Sequence, residues 1–384
     1  MRLPGLIGSF WPTPAEEALL QVALLPGDRA ERAWRRVRPR LDLDRMPPQP
    51  LRLMPLVWQG LAALGIDDPL LPRLRGLYRR AWATNQVQLA GLRSMLGVLS
   101  ERGIETMLLK GAALLARYRL DPGIRPMSDV DVLVPRKRAR EAAATLGRHG
   151  WAPIREAAEA PMARLMDRTH GLPLQGPSGQ DGDLHWQVSG DLVLPGTPEA
   201  SSDAMWRDAQ PLEWDGRATH VLAPPDQLLH VCVHGARGHS SAHLQWVVDA
   251  ALLLRSEPEI DWDAMRSRAT MLQSTLVLRD ALTYLERSGL APIPGEVARA
   301  LRRARPSSRE ALATRANGVQ SLRLGVFPQT MARFLRETAG RGPARTAAAL
   351  PDYLRRAWLL DSPWEIPGRA TGKVLRRLRR QAPG

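Results

Sequence analysis

Two aspartates stand one residue apart in S-D-V-D-V-L-V, residues 128–134, as Asp129 and Asp131, and a third, Asp183, lies in G-D-L-H-W-Q-V. In both segments polar residues alternate with Val, Leu or Trp, which is the period of a β-strand. Asp129 and Asp131 then share one face while Val130 and Val132 turn to the core, and His185 falls on the face of Asp183. Carboxylates side by side repel one another unless a cation lies between them. Hard oxygen donors on a rigid strand suit Mg²⁺, which takes one or two protein carboxylates and completes its shell with substrate phosphates. Metal-assisted phosphoryl chemistry calls for a third carboxylate, and Asp183 supplies it. The bland alternative is the wet side of a half-exposed strand, because D-x-D alone is a common pattern.

A second group of residues is suited to phosphate. L-L-K-G-A-A-L-L, residues 108–115, reads as the end of a strand, a turn at Lys110-Gly111, and a helix opened by small residues. Glycine at such a turn lets backbone N–H groups approach a phosphate at the positive end of the helix dipole. Lys110 is one of only three lysines among 54 basic residues, and its compact ammonium suits a triphosphate oxygen; the alternative is a lysine snorkelling at a strand end. Arg125, in G-I-R-P-M-S-D, is near enough in sequence to clamp phosphate with its planar fork, or else to bind loop carbonyls. Ser128 contacts phosphate or simply caps the strand.

A third group is rich in histidine. His230, His234, His239 and His243 fall in H-V-C-V-H-G-A-R-G-H-S-S-A-H, with Cys232 between the first two. His230 and His234 are four apart on a predicted helix, a spacing open to zinc. No H-E-x-x-H base is present and Cys232 points to another helical face, so the spacing favours a pocket-lining or core role. Asp249 sits in the apolar helix L-Q-W-V-V-D-A-A-L-L-L. A buried aspartate needs a partner, and the candidates are His234 or an arginine.

Three kinds of element must position these groups. Residues 1–102 read as an N-terminal helical region, helical from a cap in Thr13-Pro14-Ala15-Glu16 and including a long periodic stretch from Leu71 to Leu99. Residues 103–222 alternate short apolar runs with helices, the pattern of a mixed α/β unit, and G-L-P-L-Q-G-P-S-G-Q-D-G-D-L-H-W reads as a hairpin. From Ala223 to residue 384 the chain turns helical again and ends in a basic tail with R-R-L-R-R at 376–380. The expected fold is therefore α/β (α+β), a small mixed sheet flanked by N-terminal and C-terminal helical layers.

Composition bounds the class. At 384 residues, 44% hydrophobic and 24% charged, the chain is globular rather than disordered. One cysteine excludes an intramolecular disulfide framework and fits a reducing, cytoplasmic compartment. No apolar run reaches the roughly 18 residues of a spanning helix, and the first residues lack the apolar core of a signal peptide. The net charge of +15 suits a polyanionic partner such as a nucleotide or nucleic acid; a GC-rich coding bias toward arginine is the other reading.

Taken together, the strand, the Lys-Gly turn, the helix, R-P-x-S-D-V-D-V-L-V and the later D-L-H-W resemble the nucleotidyltransferase superfamily, whose catalytic core is like that of DNA polymerase β. The likeness is greatest to its branch of poorly characterised bacterial nucleotidyltransferases, over residues 103–190 and more faintly to about residue 255. The resemblance implies an enzyme that transfers NMP from an NTP, ATP first among them, to a hydroxyl or similar acceptor on a small molecule, a peptide or protein, or RNA. It implies Mg²⁺ or Mn²⁺ on Asp129, Asp131 and Asp183, one ion on the triphosphate and a second activating the acceptor. Lys110, Gly111, Arg125 and Ser128 would bind nucleotide, and His185, His234 and Asp249 would line the pocket. Lys110-Gly111 departs from the superfamily's more usual Gly-Ser or Gly-Gly. The alternative is a catalytically weak or inactive nucleotide- or nucleic-acid-binding protein on the same fold.

Overall fold

A computed structural model describes residues 11–154, 161–167, 169–190, 198–235 and 244–308, together with parts of 310–371. The chain enters through α1 (Pro14–Leu24), where Thr13 accepts from the Glu16 backbone N–H and Glu16 reaches back to the Thr13 N–H. This reciprocal cap satisfies two donors that a helix start leaves open. After α2 (Gly27–Val37), α3 (Pro48–Leu51) and α4 (Met54–Ala63) comes α5 (Leu71–Ser100), a single helix of 30 residues. Its length matches the periodic stretch expected from the sequence.

The sheet is mixed and seven-stranded, in the order β3-β4-β5-β2-β1-β7-β6. Its strands are β1 (Met107–Leu108), β2 (Val130–Leu133), β3 (Ala152–Pro153), β4 (Gly171–Gln175), β5 (Asp181–His185), β6 (Gln210–Trp214) and β7 (Arg217–Val221). The predicted hairpin is β4–β5, antiparallel, with Leu172 opposite Leu184. β2 lies at the centre, antiparallel to β1 and parallel to β5. All four of its residues are buried, so the wet-strand reading of the aspartate pair fails for Asp131, which is 2% exposed.

Helices cover the sheet and each other. α6 (Lys110–Tyr118) and α7 (Ala139–Arg148) are joined to the strands by short connections, α8 (Met162–Met166) and α9 (Pro198–Arg207) precede β4 and β6, and α10 (Pro224–Gly235), α11 (Gln245–Ser256), α12 (Trp262–Met271) and α13 (Thr275–Ser288) follow β7. One apolar cluster joins Leu92, Met95 and Leu99 of α5 to Val130, Val132 and Leu184 of the sheet and Leu146 of α7. A larger cluster joins Leu20, Trp34 and Leu61 near the start of the chain to Val247, Leu254 and Leu282 of the helices after the sheet. The two helical regions flanking the sheet thus share one core, which brings the chain's beginning and its later helices together beside the sheet. Among the described residues no helix is long and apolar enough to cross a membrane.

Candidate active site

The carboxylates meet through strand register. β2 and β5 run parallel with Asp131 opposite Asp183 and Leu133 opposite His185. Neighbouring strands are about 4.8 Å apart, so side chains in register on one face stand next to each other. Donor atoms of Asp131, Asp183 and His185 accordingly lie within 4.8 Å of one another. Asp129, two residues before Asp131, shares that face and accepts from Ser128 Oγ at 3.1 Å. The set of carboxylate oxygens and one imidazole is of the kind that holds a divalent cation.

Asp131 is the electrostatic hinge of the site. Burial alone would raise its pKa, but the Lys110 ammonium at 2.5 Å from Oδ1 and the His185 Nε2–H at 2.9 Å hold it well below the usual carboxylate range. Its neighbours go the other way: burial and the negative charge of Asp131 raise both Asp129 and Asp183. His185 donates from Nε2 to Asp131, while its buried Nδ1 has no hydrogen-bond partner. Burial disfavours the Lys110 ammonium, yet the attraction of Asp131 outweighs it and the Lys110 pKa is raised.

The turn carrying Lys110 is unusual. Lys110 has φ +47, a left-handed conformation that costs a non-glycine residue about 1 kcal/mol or more. Gly111 follows because nothing larger fits: a Cβ there would lie 2.1 Å from Arg125 Nη1 and 2.9 Å from Met127 Sδ. Arg125 itself spans the site to α11, donating from Nε and Nη2 to the two oxygens of Asp249 at 2.7 Å each. Asp249 also accepts from Gln245 at 3.2 Å. Of the two partners expected for Asp249, the structure provides the arginine. Arg125 therefore spends two of its nitrogens on Asp249, with its remaining terminal nitrogen against Gly111.

Several residues that shape the site carry no motif in the sequence. Asn85 of α5 donates to the carbonyls of Pro122 and Arg125 at 2.5 and 2.8 Å and accepts from the Met127 N–H at 2.9 Å. One helical turn on, Gln88 donates to the Ser128 carbonyl and accepts from the Asp181 N–H, tying the entrance of β2 to that of β5. Arg52, between α3 and α4, donates to the Pro126 carbonyl at 2.7 Å. A polar residue on the buried stripe of a helix was the available signal, since Asn85 and Gln88 interrupt an apolar face at i and i+3.

A cavity of about 390 Å³ opens over these groups, lined by Arg52, Lys110, Arg125, Asp129 and Asp131 on one side and by His230, His234, Gln245 and Trp246 on the other. His230 is 1% exposed with both ring nitrogens unbonded, and burial together with the nearby His234 and Lys110 lowers its pKa well below the usual value. Cys232 is buried in the helix core, where burial pushes its thiol up to about 12; it takes no part in a Cys/His cluster among the described residues. His239, His243 and the tail at 376–380 lie outside the described residues.

No curated protein matches the chain. The solution structure of the antibiotic-resistance factor ANT(2'')-Ia is similar with a TM-score of 0.32 at 14% identity, covering 53% of this chain and 98% of that one. A family described as uncharacterised nucleotidyltransferase matches residues 49–288, a span that holds the sheet, the three aspartates, Lys110 and both walls of the cavity. The chain belongs to this nucleotidyltransferase family.

Proposed function

We propose that the protein transfers a nucleoside monophosphate from a nucleoside triphosphate to a nucleophilic acceptor in a divalent-metal-dependent reaction. The observation that carries the reading is the register of Asp131 against Asp183 on adjacent parallel strands, with Asp129 lining the same cavity as Asp131. Asp129, Asp131 and Asp183 would hold Mg²⁺ or Mn²⁺, which supplies Lewis-acid neutralisation of triphosphate charge. Asp131 and Asp183 fit the ion, because their oxygens already converge beside His185, and Asp129 lines the same cavity as Asp131.

The remaining roles belong to the chain's own groups. Arg52 and Lys110 present positive charge to the cavity beside the aspartates and would steady the triphosphate. Gly111 makes room for Arg125 beside the start of α6, and Ser128 orients Asp129. Asp183, held next to Asp131 and less acidic than a free carboxyl because of burial, would alternatively take the acceptor's proton. Arg125 and Asp249 fix the loop that carries Asp129, and His185 fixes Asp131. The opposite wall, at His234 and Gln245, would contact nucleobase or acceptor.

ATP is the first donor to test, and the acceptor classes are a small molecule, a peptide or protein, and RNA. Incubation with each α-labelled NTP and Mg²⁺ or Mn²⁺, with and without these acceptors, should give metal-dependent transfer of label. Asp129→Ala/Asp131→Ala should abolish it. Nucleotide or nucleic-acid binding that persists in that variant, without turnover in the wild type, would establish the binding-protein alternative instead.

A further inference from the structure

We propose that Lys110 occupies the place of one of the two divalent cations expected at a carboxylate site of this kind, so that the protein loads a single metal ion per nucleotide. The inference rests on the nucleotidyl-transfer reading above.

An aspartate shared between two ions must give one oxygen to each. Oδ1 of Asp131 already receives the Lys110 ammonium at 2.5 Å and the His185 Nε2–H at 2.9 Å. Oδ2 receives neither, and with Asp129 it can serve one ion. The ammonium on Oδ1 also feels Asp129 and Asp183, so it supplies to the three carboxylates the positive charge that a second ion would supply.

This placement of Lys110 is built into the backbone. The Leu109 N–H donates to the Asp131 carbonyl at 3.1 Å, so the residue before Lys110 is locked to the residue whose side chain the lysine meets. Lys110 then turns through φ +47 into the first position of α6. A left-handed lysine is sterically disfavoured and persists only where its surroundings over-determine it. Its side chain is 22% exposed and that of Asp131 3%, which makes the ammonium a tethered, largely enclosed charge. Three carboxylates and one ammonium leave a charge that one divalent cation neutralises.

The chemistry follows from the substitution. An ammonium stabilises developing negative charge but does not bind the acceptor oxygen as a metal does. The acceptor O–H proton therefore passes to the Asp183 carboxylate as the oxygen attacks the α-phosphorus. The new P–O bond forms as the bond to the β-phosphate oxygen breaks, and pyrophosphate leaves.

The test is the stoichiometry of Mn²⁺, read from the loss of the free-ion EPR signal when the full chain is saturated with a non-hydrolysable α,β-methylene nucleoside triphosphate. The wild type should take up one ion per bound nucleotide. Lys110→Met and Lys110→Gly should take up two; glycine adopts φ +47 without strain, so the second variant keeps the turn. Two ions in the wild type, or one in both folded variants, would overturn the substitution while leaving nucleotidyl transfer standing. Absence of any nucleotide-dependent Mn²⁺ uptake in the wild type would overturn both readings.

Discussion

Arg125 and Asp249, 124 residues apart in the chain, form a buried bidentate pair with two N–O distances of 2.7 Å. The pair joins the loop that leads into β2 to α11, on the far wall of the cavity. Removing one partner leaves an uncompensated charge, at a cost of about 3–5 kcal/mol. Asp249→Ala should lose that much stability by urea denaturation. Arg125→Met/Asp249→Leu should recover most of it, because neither charge then remains buried.

Gly111→Ala tests the same contact from the other side. Its Cβ would meet Arg125 Nη1 at 2.1 Å, so Arg125 must move away from the start of α6. A loss of about 1–3 kcal/mol is expected for such overpacking. Since the clash acts through Arg125, combining it with Asp249→Ala should cost less than the two losses added together, which a double-mutant cycle measures.

Asn85→Ala removes three hydrogen bonds from the loop carrying Pro122, Arg125 and Met127. The buried carbonyls and the Met127 N–H lose their partner, and each such loss costs about 1–3 kcal/mol. Hydrogen exchange at Met127 should accelerate by at least tenfold, with little change in the helices remote from the loop.

Arg52→Ala should weaken nucleotide binding without unfolding the protein. Arg52 lies between helices, bonds the Pro126 carbonyl and lines the cavity beside Lys110 and Asp129. Loss of one charge-assisted contact to phosphate, about 1.5–3 kcal/mol, predicts a KM for the triphosphate raised by roughly tenfold to a hundredfold. Unchanged KM in a folded variant would remove Arg52 from the nucleotide site.

Asp226, at the start of α10, gives a pH signature away from the site. Burial pushes its carboxyl up to about 6, against the Arg268 guanidinium at 3.2 Å and with the help of the Asp208 charge. The unfolded value is about 3.9, so the folded protein holds this proton more tightly. The resulting stability is present below pH about 4 and is lost as pH rises to about 6. Asp226→Asn should flatten the urea-midpoint profile between those pH values relative to wild type.

Local signals carried much of this protein. The Thr13 cap, the extent of α5, the β4–β5 hairpin and the shared face of Asp129 and Asp131 follow from neighbours within a few residues, because caps, turns and side-chain periods are short-range properties. The sequence likewise presented Lys110-Gly111 as a turn and Asp183 with His185 as one face of a strand. Which strands lie side by side is not a short-range property. Asp131 meets Asp183 only because β2 and β5 pair in parallel across the intervening α7, β3, α8 and β4, and Arg125 meets Asp249 only because helices before and after the sheet in the chain close one core. Asn85, Gln88 and Arg52 look like ordinary polar residues until the loop they hold is folded against them. Tertiary structure also decided the balance at Lys110, since a lysine's side chain becomes a fixed charge only when a strand, a left-handed turn and a buried carboxylate enclose it together.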